Sequence, residues 1–76
     1  MEELLIFLTQ GITGNENIRI ESEEDNGFVN YNVIAPKDTV GLLVGKGGRT
    51  IKGIRNILKV RATLEKKAVR ITISES

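Results

Sequence analysis

The 76-residue chain has no cysteine, no histidine and no tryptophan, one proline, and only three aromatic residues, Phe7, Phe28 and Tyr31. Without thiolate or imidazole there is no disulfide scaffold and no Cys/His zinc module. Ser-His-Asp and Cys-His catalysis are excluded for the same reason. No cofactor is expected, and no carboxylate pair in a discernible pocket points to an enzyme. Long apolar runs are absent too. The longest, Leu4 to Leu8, has five residues, against the ~20 that a spanning helix needs. It follows Glu2 and Glu3, the wrong charge for a signal peptide. The expectation is a cytoplasmic protein away from any membrane. With Met1 at the start, it reads as a complete gene product forming one small domain, residues 1–76.

Charge of one sign is scarce in each half. Residues 1–40 carry eight acids and two bases, net −6; residues 41–76 carry nine bases and two acids, net +7. Such polarity suits a molecule with one surface for an anion and another that repels it. It also suits a dipolar, well-solvated surface.

Apolar spacing then sets the elements. Leu4, Leu5, Leu8 and Ile12 form one helical stripe over Glu2 to about Thr13, with Gly14-Asn15 as its end. A short strand at Leu4–Thr9 is the alternative. Ile18 to Ser22 alternates as a half-buried strand. The acidic stretch Glu23 to Asp25 leads into Asn26-Gly27, a hairpin signal. In the next strand, Phe28–Ala35, Val29, Tyr31, Val33 and Ala35 form the core face. Tyr31 and Phe7 are both expected inside. Pro36 ends that strand. Asp38 or Thr39 caps a short helix to about Val44, with Val40, Leu43 and Val44 apolar. A second helix runs from about Arg49 to Arg61 with Ile51, Ile54, Ile57 and Leu58 inward. Ala68–Ser74 alternates once more. The helix pair joins two strands that should be parallel. The whole is α+β: two layers, with a three-stranded mixed sheet and the helices on one face.

Five of the eight glycines lie between Gly41 and Gly53. In Gly45-Lys46-Gly47-Gly48, one helix must stop and the next begin within four residues, a bend that glycine permits. Bare backbone also lets a polyanion come close, toward amides at the positive end of the second helix. Lys46 and Arg49 add charge there, and Lys52, Arg55 and Lys59 continue it, although these three also fit an ordinary solvated face. Two phosphate motifs fail here. The P-loop needs four residues between its glycines and then Lys-Ser/Thr, but Gly41 and Gly45 enclose three. The dinucleotide fingerprint would need glycine where Thr50 stands. A GXXG loop between helices, which clamps about four nucleotides, fits both spacing and context.

Residues Ala35 to Arg55, APKDTVGLLVGKGGRTIKGIR, resemble a KH domain, and in particular the small bacterial single-KH proteins of the KhpA type. The resemblance covers nearly the whole chain and implies the type II KH fold, in the order helix-strand-strand-helix-helix-strand. By position, Gly45-Lys46-Gly47-Gly48 corresponds to the GXXG loop and Val44 and Ile51 to its aliphatic flanks. Gly41 corresponds to the small residue of the first core helix, and Thr50-Ile51-Lys52 to the start of the second. Leu43 stands where a basic residue is common, which removes one phosphate contact. The resemblance implies single-stranded RNA binding and post-transcriptional regulation or RNA chaperoning. It also implies a homodimer or a larger KH-containing partner, KhpB- or Jag-like. The expected RNA-binding residues are Gly41, Val44, Gly45, Lys46, Gly47, Gly48, Arg49, Ile51, Lys52 and Arg55. From another class, a protein-interaction adaptor with a KH fold remains open.

Overall fold

The computed structural model describes residues 1–76. Helix α1 (Glu2–Thr13) precedes a hairpin of β1 (Arg19–Asp25) and β2 (Phe28–Ala35). Helix α2 (Lys37–Val44), a 3-10 turn (Lys46–Gly48), helix α3 (Arg49–Leu64) and strand β3 (Ala68–Glu75) follow. The sheet order is β1-β2-β3, with β1 antiparallel and β3 parallel to β2. This is the α+β order that the resemblance implies, a three-stranded mixed sheet with helices on one face.

Local chemistry accounts for the element ends. Gly14 caps α1 in the left-handed conformation, φ 66°, and its amide donates to the Gln10 carbonyl. Asn26 and Gly27 both have positive φ, 50° and 80°, the backbone of a two-residue type I′ turn. Such a tight turn lets pairing run to the tip, with Asp25 opposite Phe28. The first strand therefore extends to Asp25 rather than ending at Ser22, and the acidic residues lie within it. Helix α3 runs past Arg61 to Leu64 because a Schellman cap closes it. The Lys67 amide donates to the Ala62 carbonyl at 2.8 Å and that of Lys66 to Thr63 at 3.1 Å, with Lys66 itself at φ 58°. These two bonds satisfy carbonyls that the helix end would otherwise leave free.

The core follows from β2. Val29, Tyr31, Val33 and Ala35 are buried with Leu5, Leu43, Ile51, Ile54, Leu58 and Ile71. Four expectations fail. Ile12, placed in the α1 stripe, is 44 % exposed. Phe7 is 74 % exposed, since it lies two residues, about 200° around the helix, from Leu5. Ile57 is 46 % exposed. The buried row on α3 is Ile51, Ile54, Leu58 and Ala62, and Ile57 lies on its flank, about 100° around the helix from Leu58. Thr39 is no cap. Pro36 holds the N-cap position of α2 without a side-chain bond, while buried Thr39 accepts a 2.7 Å hydrogen bond from Asn15 Nδ2. That contact ties the α1–β1 connection to α2. Asp38 accepts only from the Thr39 amide, at 3.0 Å.

Candidate nucleic-acid interface

The bend between α2 and α3 depends on three glycines with positive φ: Gly45 at 75°, Gly47 at 65° and Gly48 at 77°. Gly45, with ψ 172°, occupies a region essentially closed to other residues. The Gly48 amide donates to the Gly45 carbonyl at 3.1 Å. Lys46 and Gly47 are exposed. The loop tip thus offers exposed backbone, a lysine, and no side chain at Gly47 to obstruct approach. Val44 is half-buried and Gly41 exposed on α2. Ile51 is only 8 % exposed and belongs to the core cluster, beneath the loop.

From this loop, α3 runs alongside β3, the edge strand of the sheet. Between them lies a groove of about 440 Å³. Lys52, Arg55, Asn56 and Lys59 line its helix side, and Val69, Arg70, Ile71 and Thr72 its strand side, with Phe28 completing it. Arg49 precedes Lys52 by one turn, so loop and groove form one track. Arg55 donates to the Ile71 carbonyl at 3.3 Å, drawing the guanidinium onto the strand edge. The six cations along the track, Lys46, Arg49, Lys52, Arg55, Lys59 and Arg70, form no ion pair. The three ion pairs join Glu65 to Arg61 and to the Met1 ammonium, and Glu24 to Lys67. No carboxylate lines the groove. The acidic strand β1 lies at the far edge of the sheet, so the charge split seen along the chain becomes a split between two edges.

Of the expected residues, Lys52 and Arg55 line the groove, Gly45–Gly48 and Arg49 form the loop leading to it, and Gly41 and Val44 lie on α2 before the loop. Asn56, Phe28, Arg70, Val69, Ile71 and Thr72 also line the groove and were not among the expected residues. The alternation of the last strand placed Arg70 and Thr72 outward, but only the strand order puts them beside α3.

A family model for the KhpA/KhpB KH domain matches residues 2–73. The chain belongs to the KhpA/KhpB KH-domain family. Relatives agree over nearly full length. RNA-binding protein KhpA of Chlamydia pneumoniae is 30 % identical over 76 residues, covering 99 % of this chain and 97 % of the relative. RNA-binding protein KhpA of Listeria monocytogenes is 29 % identical over 76 residues, 99 % of this chain and 100 % of that one. The Halalkalibacterium halodurans protein of the same name is 29 % identical over 58 residues, 76 % of each chain. As a KhpA/KhpB-type KH domain, the chain is not an enzyme.

Proposed function

We propose that residues 1–76 act as one KH domain that binds single-stranded RNA by a backbone clamp. One observation carries this reading: six unpaired cations line a continuous track from the exposed Gly45–Gly48 loop into the α3–β3 groove. Phosphates bind at the loop, to its exposed backbone and to the Lys46 and Arg49 side chains. Lys52, Arg55 and Lys59 continue the backbone contacts. Bases turn toward Val69 and Ile71 and meet the backbone of the edge strand, whose outer N–H and C=O groups are available for hydrogen bonds. Gly41 and Val44 border the loop, and Ile51 supports it. That the relatives above are named RNA-binding proteins agrees with this reading.

The protein acts in the cytoplasm as a post-transcriptional regulator or RNA chaperone. No helix is long and apolar enough to cross a membrane. A four-nucleotide clamp is weak alone, and pairing two clamps raises avidity. The outer face of α3 supports such pairing: Ile57, Val60 at 65 % and Leu64 at 76 % exposure form an apolar stripe. A second copy is the occupant we infer. A larger KhpB- or Jag-like KH protein in its place, without RNA, is the adaptor reading.

The test is the double variant Lys46→Asp, Gly47→Asp, with RNA binding followed by fluorescence anisotropy. Binding is lost while the circular dichroism spectrum is retained. Because Gly47 has φ 65°, the Asp there costs about 1 kcal/mol, a fall in Tm of roughly 4–8 °C. The single variant Lys46→Asp avoids that strain and still weakens binding. Wild-type affinity in both variants would reject the clamp.

A further inference from the structure

Two of the three aromatic rings, Phe7 and Phe28, lie outside the core, and Phe28 is the one beside the clamp's groove. Phe28 opens β2 on the sheet face that no helix covers, in a row with Asn30 and Asn32. It is 42 % exposed and outside the core cluster. Its neighbour on β3 is Ala68, whose methyl group leaves the ring open. Above it lies Arg70, the guanidinium carbon 5.8 Å from the ring centroid. Arg70 is exposed and has no carboxylate partner. Both side chains line the same groove as Lys52 and Lys59. They sit at its far end, since α3 leaves the loop and returns through β3 in the opposite sense.

An aromatic ring beside a cationic track has a definite use. Any base stacks on such a ring, because every base has a π-face, and a guanidinium plane stacks on the base in turn. A strand leaving the groove past Lys59 reaches this corner next. We propose that Phe28 and Arg70 form a stacking platform for one further nucleobase, lengthening the RNA track beyond the four nucleotides of the clamp. The platform tolerates any base and adds affinity rather than sequence choice. It rests on the RNA-binding reading given above.

The test compares randomised pools of four- and eight-nucleotide RNAs on wild type, Phe28→Ala and Phe28→Trp. Phe28→Ala lowers eight-nucleotide affinity by roughly 5- to 100-fold, the range that aromatic truncation gives per stacked base, and lowers four-nucleotide affinity by a much smaller factor. The chain has no tryptophan of its own, so Phe28→Trp supplies a single reporter. It keeps the eight-nucleotide affinity, and its emission is quenched on saturation. Equal eight-nucleotide binding by wild type and Phe28→Ala, or an unquenched tryptophan at saturation, overturns the platform and leaves the clamp standing. Wild type that binds neither pool overturns both.

Discussion

Gly45 and Thr50 face each other across the α2–α3 bend with no room between them for a side chain. A Cβ built on Gly45 would lie 2.8 Å from the Thr50 Cβ and 3.0 Å from its backbone nitrogen. The loop is held by contact at this point, whereas Gly47 and Gly48 open onto empty space.

The glycines of this region therefore separate in mutation. Gly45→Ala combines a clash with a forbidden backbone and should cost about 2–4 kcal/mol. Gly41 and Gly53 lie inside helices, at ordinary φ, and a Cβ on either meets nothing within 4 Å. Gly41→Ala and Gly53→Ala should each stabilise by about 0.5–1 kcal/mol through helix propensity. Urea unfolding of the three variants checks the order. If Gly45→Ala were as stable as wild type, the contact with Thr50 would not constrain the loop.

Lys66 is the other backbone lever. It holds the left-handed position of the α3 cap, φ 58°, where glycine is usual. Lys66→Gly should raise stability by about 0.5–1 kcal/mol despite the loss of a surface charge. Thermal unfolding measures it, and a lower Tm would contradict the expectation.

RNA affinity should depend steeply on salt. With about three to four phosphates held, log K falls against log salt with slope near −2 to −3, at ~0.7 per phosphate for single strands. Lys52→Gln, Arg55→Gln and Lys59→Gln should each flatten the slope by under one unit. Titrations at several salt concentrations give these slopes. A flat salt dependence would leave the six unpaired cations without a part in binding.

Stability should be lost on the alkaline side. Burial, reinforced by the Glu2 carboxylate, holds the Tyr31 hydroxyl above its ordinary value. The hydrogen bond from Lys67 to Glu24, at 2.7 Å, holds the Lys67 ammonium above its own. Both groups are shifted up in the folded chain. Their contributions are complete below the unfolded values, about 10 for each, and disappear as pH rises through the folded ones. Unfolding free energy should be level from neutral pH to about 9 and decline above about 10. Tyr31 is the only tyrosine, so tyrosinate absorbance reports its ionisation directly. Titration of that signal at the model-peptide value in folded protein would contradict the shift.

Much of this molecule is readable in linear order. The alternation Val29, Tyr31, Val33, Ala35 has a period of two, and those four side chains are the buried face of β2. Asn26-Gly27 makes the hairpin turn because its backbone demands positive φ. The clustering of Gly45, Gly47 and Gly48 marks the bend for the same reason. Phe7 and Ile57 were misplaced because apolar character does not state direction. Each sits on a helix whose inner row is already supplied by nearby residues, Leu5 and Thr9 in α1 and Ile54 and Leu58 in α3.

Periodicity and glycine chemistry are local properties, carried by residues a few positions apart, and they suffice for the helices, the hairpin and the clamp loop. The groove is not local. Arg55 and Ile71 are sixteen residues apart and meet only because β3 pairs with β2 from the outer edge and brings its free side against α3. Which edge β3 takes, which cations go without a carboxylate, and that Phe28 comes to lie beneath Arg70 all depend on packing across the whole sheet, where the competing arrangements differ in long-range contacts that no short window of residues contains.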